Sequence, residues 1–308
     1  MDLDIAEKTK FSPVDQNGWR QMVDQALKGE SFDETLVSTT DDGLRIEPIY
    51  PRAAMDDNRP GRHGKPGWHM VQRIDHPDPA EANAQARADI EAGATGISLV
   101  FAGAPNAFNY GLPSGPETVA AVLNGIPLEK IHLRFDAHPD SRRSVEWVLE
   151  FLGKRRTNPA KLSLAFGIDP AALFGGTGRL RMSIEALRAS MPQSLAGFLA
   201  ADVPGVLLEA DGRIYHQAGG TAAQELGAMM SAAIAHMRMV EEARQPVVYA
   251  TPLLGFSVAV DHDLFQSIAK IRAIRRLWAR IQEACGAAPS PATIHAETSW
   301  SMLTAKDV

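Results

Sequence analysis

The chain has 308 residues, 45% of them hydrophobic, enough to bury one large core or two modest ones. Its 31 lysines and arginines stand against 37 aspartates and glutamates, a net charge of −6, which argues against a general nucleic-acid binder with its basic surplus. No apolar run reaches the ~20 residues needed to span a bilayer, and the acidic start "MDLDIAEKTK" lacks the apolar stretch of a signal peptide, so the expectation is a cytoplasmic chain with no membrane contact.

In chain order, the pattern predicts a first helix over Asp15–Gly29, with Trp19, Met22, Val23 and Leu27 on one face and Gly29 as its stop. "TLVSTT" and "LRIEPIY" read as extended segments joined by the turn "DDG". Pro51 to Gly67, dense in proline, glycine and charge, reads as a long loop, a length that points to function or to wrapping. From Trp68 strands and helices alternate. The strands are "WHMVQRI", "TGISLVF", "KIHLRFDA", "LSLAFGI", "GVLLEA", "PVVYATPL" and "PATIHAET". Among the helices, "DPAEANAQARADIEAG" takes Asp78 as N-cap and Gly93 as C-cap, while "RLRMSIEALRASM" and "QSLAGFLAA" read as separate segments. The basic run Lys154 to Thr157 is expected to be a solvated helix end. Cys285, the only cysteine, reads as a half-buried thiol; with no internal disulfide possible, a reducing compartment fits.

Seven strands alternating with helices predict a parallel α/β sheet with helical crossovers. In an open doubly wound sheet the central strands are buried on both faces and read as continuous apolar runs. Here "IHLRFDA" alternates instead: Ile131, Leu133 and Phe135 face one way, His132, Arg134 and Asp136 the other. That pattern suits a parallel (β/α)8 TIM-type barrel over residues 68–308, preceded by a helical and extended arm over 1–67. Barrels of this class usually fill their interior with apolar side chains. A polar interior therefore implies a water- or ligand-filled bore or a buried ion network.

The segments "GWHMVQRI", "EAGATGISLVF", "NGIPLEKI", "HQAGGTAAQEL", "SIAKIRAIRRLWARI" and "IHAETSWSMLTAKDV" resemble the barrel domain of the methylmalonyl-CoA mutase family, and the resemblance runs from about Phe11 to Val308. It is nearest to the small, non-catalytic subunit of the heterodimeric bacterial enzymes. The resemblance implies an isomerase lineage in which the catalytic barrel threads the CoA ester through a bore lined by small Ser and Thr side chains. It also implies adenosylcobalamin, delivered by a separate domain or subunit, as the source of radical chemistry. No C-terminal cobalamin domain, and no cofactor bound by this chain alone, is expected here.

Carried over position by position, the resemblance implies a degenerate site. The family's Tyr-His pair after a strand-end glycine falls on Arg213 and Ile214 after Gly212; Tyr215 and His216 lie two residues late and would need a local shift. The Gln-Tyr pair near the first barrel strand keeps Gln72 but carries Arg73. The substrate glutamine of the fourth strand falls on Gly167. Small hydroxyl positions on the third strand are His132, Arg134 and Asp136. Ser98 and His295 match substrate-side positions, while Lys270 and Arg272 match the family's long sixth helix and read as surface or interface charge. The substrate-binding candidates are thus Gln72, Ser98, His295, Tyr215 and His216. Charges in a barrel interior persist only when paired, so His132, Arg134 and Asp136 are expected to bond Arg73 or Glu209 and to leave no continuous tunnel. The expected protein is inactive alone, a homodimer or the partner of a catalytic mutase chain.

Two other readings stand beside this one. His132, Asp136 and His138 read as a cluster at the C-terminal end of one barrel strand, where barrel active sites lie, so a metal-dependent hydrolase is the runner-up. The other is a barrel that still binds an acyl-CoA and acts with a separate cobalamin domain. A cobalamin module itself needs Asp-x-His-x-x-Gly before a helix, and "DAHPDS" ends in Ser141 instead.

Overall fold

The computed structural model describes residues 14–51 and 67–303. The chain divides into two compact units, Met1–Asp57 and Asn58–Val308. The extreme N-terminus and all but the two ends of the Pro51–Gly67 loop lie outside the described residues.

In the first unit, α1 (Gln16–Leu27) starts where Asp15 accepts a hydrogen bond from the Gly18 amide, and it stops at Lys28 and Gly29, both with positive φ. Trp19 meets Phe32 of α2 (Phe32–Leu36) edge-on at 6.1 Å, and the Arg20 guanidinium lies 3.6 Å from the same ring. The extended segments form a two-residue hairpin, β1 (Ser38–Thr39) antiparallel to β2 (Arg45–Ile46).

The second unit is one seven-stranded parallel sheet, β3 (Val71–Ile74), β4 (Gly96–Leu99), β5 (His132–Phe135), β6 (Ser163–Ile168), β7 (Val206–Asp211), β8 (Leu254–Val260) and β9 (Thr293–Thr298), its strands neighbouring one another in chain order. Sequential parallel order is that of a barrel wall, and the sheet curls accordingly. Interior side chains reach from β5 to β7 and β8, and Arg73 at one edge lies 4.7 Å from the ring of Trp300, just beyond β9 at the other. The α/β barrel class is therefore as the alternation predicted, with one correction: the sheet has seven strands, not eight, and among the described residues no ladder joins β9 to β3.

The helices cover the outer face. They are α3 (Pro79–Glu91), α4 (Pro116–Val122), α5 (Ser141–Arg155), α6 (Pro170–Thr177), α7 (Ile184–Ala200), a short α8 (Arg213–Gln217), α9 (Ala222–Glu242), α10 (Val247–Ala250) and α11 (Leu264–Ala284). Asp78, Asp169, Ser183, Thr221 and Asp263 each cap the helix that follows them with a side-chain oxygen. Between sheet and helices lies the apolar core, with Ile97, Leu99, Leu133, Phe135 and Phe166 packed among Val119, Leu123, Val145 and Val148. Among the described residues, no helix is long and apolar enough to cross a membrane.

Two elements differ from the sequence pattern. "PVVYATPL" is not a strand. Residues 247–250 form α10 and 251–253 a 3-10 turn, and the strand is the next run, "LGFSVAV". Val248 and Tyr249 are more than half exposed, whereas β8 is buried along nearly its whole length, so burial rather than β-branched composition selects the strand. Pro192 lies inside α7 without ending it, so the two expected helices are one.

Candidate functional site: a buried ion network in the barrel interior

The register sets Arg73 opposite Ser98 and Ser98 opposite Arg134, which places all three on the inner face of the sheet. Gln72 takes the other parity, with Ile97 and Leu133, and is exposed on the helix-facing side, so the Gln72–Arg73 pair is split between two faces. His132 shares Arg134's face but is the first residue of β5. Its ring stacks on His69 at 5.3 Å and bonds Ser163 Oγ at 2.8 Å, away from the C-terminal ends where Asp136 lies.

Arg134 is fully buried and occupies the interior. Its Nη2 donates to both Glu209 oxygens, at 2.8 and 2.7 Å, and to Ser257 Oγ at 2.9 Å. Its Nη1 donates to Ser98 Oγ at 3.0 Å and to Asp136. Three other strands, β4, β7 and β8, thus converge on this side chain of β5. Asp136, just beyond β5, also accepts from Arg213 Nη2 at 2.9 Å and from the Asn106 side chain at 2.9 Å. Arg213 opens α8 and grips Asp211 with Nε and Nη2 at 2.9 and 2.7 Å, while its Nη1 donates to Glu297 of β9. The rim continues through the Trp300 indole to Glu297 at 2.8 Å and through Arg73, which bonds Asp75 at 2.6 Å and the Asn106 carbonyl at 2.8 Å. Arg73 therefore pairs with Asp75, while the carboxylates Asp136 and Glu209 are taken by Arg134 and Arg213.

Two arginines face four carboxylates here: Asp136, Glu209, Asp211 and Glu297. Burial opposes the charge of Asp136, yet Arg134 and Arg213 outweigh it and hold the carboxyl well below its ordinary value. Burial likewise works against Arg213, and Asp136, Asp211 and Glu297 hold it well above the usual value. Asp211 goes the other way: burial pushes it up to about 6 against the pull of Arg213, with Glu209 and Asp136 adding to the rise. His295, facing this network from β9, is kept neutral by burial and by Arg134 and Arg213, which push it well below its ordinary range.

The remaining candidate positions are not part of this cluster. Gly167 has φ +54°, and a Cβ there would stand 2.2 Å from the Phe135 carbonyl oxygen, so a glutamine cannot be accommodated without moving β5. It lies in the register shift between β6 and β7. Ile214 packs toward Gly175 and Gly176 of α6. Tyr215 is half-buried on α8, and His216 bonds Ser299 Oγ at 2.7 Å with Glu225 3.7 Å from its other nitrogen. Lys270 needs a correction: it is not a surface charge but is buried, its Nζ 2.8 Å from the fully buried Glu225, tying α11 to α9. Glu225 also accepts the Ala259 amide of β8 at 3.0 Å. Cys285 is exposed rather than half-buried.

The hydrolase reading does not assemble. His132 and Asp136 are four residues apart along an extended strand, about 13 Å, and among the described residues no three His, Cys, Asp or Glu side chains form a metal-binding group. His138 bonds Ser144 Oγ at 2.7 Å through Nε2 and accepts the Asp140 amide at Nδ1. The same bonds bear on cobalamin. In the Asp-x-His stretch the aspartate is held by two arginines and the histidine has both nitrogens engaged, so these residues do not fit as the lower ligand of a corrinoid.

Fold and site define a parallel α/β barrel-type unit whose interior holds a salt-bridge network. The family model described as methylmalonyl-CoA mutase matches residues 115–308. The chain is 30% identical to the methylmalonyl-CoA mutase small subunit of Streptomyces virginiae, an alignment covering 99% of this chain and 51% of that protein. It is 29% identical to the probable small subunit of Mycobacterium bovis over 100% of this chain and 52% of that one. To the large subunit from Streptomyces virginiae it is 24% identical, covering 94% of this chain and 45% of the relative. The chain belongs to the methylmalonyl-CoA mutase family, and it spans about half the length of the curated relatives it matches.

Asp211, Glu297, Asn106 and Ser257 are the network members that sequence reasoning missed. Period-two alternation in "VLLEAD" and "IHAET" marks Glu209, Asp211 and Glu297 as sharing inner faces; nothing local marks Asn106.

Proposed function

We propose that this chain is a non-catalytic barrel of the mutase type, akin to a small subunit, which acts by supporting a catalytic chain rather than by turning over an acyl-CoA itself. The observation that carries this reading is the position of Arg134, fully buried and bonded to β4, β7 and β8 at once, in the space a CoA ester would need to thread. Gly167 adds to it, because the backbone leaves no room for a substrate-binding glutamine. Residues 68–308 form the barrel domain in this proposal, with 1–67 as an arm. Adenosylcobalamin and the radical rearrangement belong to the partner, and the substrate positions Arg73, Gly167, Arg213 and Ile214 are degenerate. Ser98, His295, Tyr215 and His216 then serve packing and the ion network rather than substrate, and Gln72 is left exposed on the opposite face.

The test is assembly and turnover. Alone, the purified chain should elute as a homodimer in size-exclusion light scattering and show no methylmalonyl-CoA isomerisation with added adenosylcobalamin. Mixed with a catalytic methylmalonyl-CoA mutase chain, it should form a stoichiometric heterodimer. Turnover by the isolated chain, or failure to join any catalytic chain, would overturn the proposal.

A further inference from the structure

Off the barrel axis, at the C-terminal ends of β5 and β6, lies a cavity of about 590 Å³. Cavities of about 300–1,000 Å³ are the usual size for small-molecule sites. The cavity does not include Arg134, Asp136 or Arg213, so it is separate from the interior network. Its floor is apolar, with Ile168 and Met191 buried and Leu173 and Leu187 half-buried. Its mouth carries three arginines. Arg181 is neutralised by Asp140, but among the described residues Arg142 bonds only the neutral Ser190 and Ser194 hydroxyls, at 3.0 and 3.5 Å, and a methionine sulfur. The Arg179 side chain has no partner among the described residues.

One carboxylate, Asp169, lines the cavity, and backbone amides occupy it. Its Oδ1 accepts from Ala171 and Ala172 at 2.9 and 3.1 Å, and its Oδ2 from Asp211 at 2.8 Å. Asp140 and Asp169 offset two of the three arginines, so the site keeps a net positive charge above an apolar floor. We propose that it binds a small organic anion with an apolar body, the anionic group held by Arg142 and Arg179 and the tail laid along Leu173, Leu187 and Met191. A fully apolar ligand would leave the guanidinium groups unanswered. A bare inorganic anion would leave the floor empty.

The probe is anilinonaphthalene sulfonate, an apolar fluorescent anion, titrated into the full chain, with octanoate and octanol as competitors. One saturable site per chain is expected, displaced by octanoate and at least about tenfold more weakly by octanol, a difference of about 1.4 kcal/mol. Arg179→Gln, at an exposed position, should keep the parent melting curve and weaken binding about tenfold or more. Leu187→Trp should block the floor. Absence of saturable binding overturns the proposal, as does equal displacement by octanoate and octanol. Unchanged affinity in both variants would place the bound anion elsewhere and overturn it equally.

Discussion

Arg134 on β5 reaches past β6 to Glu209 on β7, one guanidinium nitrogen donating to both carboxylate oxygens at 2.8 and 2.7 Å, with both side chains buried. In the proposed reading this pair fills the space of a bore. Water is excluded from both charges, so each depends on the other rather than on solvent.

Removing one partner should therefore cost much more than replacing both. Asp136→Ala leaves Arg134 and Arg213 short of a shared acceptor, and Glu209→Ala leaves Arg134 without its bidentate one. Each should destabilise the fold by about 3–5 kcal/mol, read from urea unfolding. The double replacement Arg134→Met with Glu209→Leu should recover a substantial part of that loss, because no uncompensated charge stays buried. If Asp136→Ala melts like the parent, the network does not hold the interior.

A glutamine at position 167 should not be accommodated. Gly167→Gln meets both a left-handed φ and a contact of 2.2 Å with the Phe135 carbonyl oxygen. The expected loss is more than about 4 kcal/mol or an insoluble product. A soluble Gly167→Gln protein with the parent melting temperature would show that β6 can adopt the substrate-binding geometry.

Asp211 sets a pH dependence of definite sign. Its folded value of about 6 lies above the ordinary carboxylate value near 3.9, so between those limits the folded chain binds more protons than the unfolded one. This group's contribution is then most favourable below about pH 4 and declines as pH rises toward and past 6, by roughly 3 kcal/mol at most. Asp136 has the opposite sign, stabilising above about pH 4, and is common to parent and variant. Asp211→Asn should therefore gain stability relative to the parent as pH rises from 4 to 7. Parallel stability curves for the two proteins over that range would contradict the assignment.

The Lys270–Glu225 pair should behave as a buried staple between α11 and α9. Lys270→Ala should cost about 3–5 kcal/mol, and a double-mutant cycle with Glu225→Ala should return a coupling of at least about 1 kcal/mol. A coupling near zero would mean that the two side chains are solvated separately.

How much of this was legible in the sequence depends on whether the signal is local. The inner face of β5 followed from alternation alone, because a strand has period two. Which acceptors Arg134 meets did not, because Glu209 and Ser257 lie 75 and 123 residues away and arrive only through sheet order and curl. "PVVYATPL" misled because β-branched composition describes a pleated, half-buried surface without saying which segment receives cover. Lys270 was legible in part: it lies with Ile274 and Trp278 at intervals of four, on the buried stripe of α11, yet the basic run around it reads as a solvated face. The off-axis cavity beneath Arg142 and Arg179 depends on the approach of α5, α6 and α7 and has no counterpart in any short motif.

The most direct measurement is calorimetric titration of methylmalonyl-CoA into the purified chain. The packed interior predicts no saturable heat up to millimolar ligand, in the presence or absence of adenosylcobalamin. A saturable one-to-one isotherm with micromolar affinity, weakened by substitution of Ser98 or His295, would contradict it and make the interior a working acyl-CoA site.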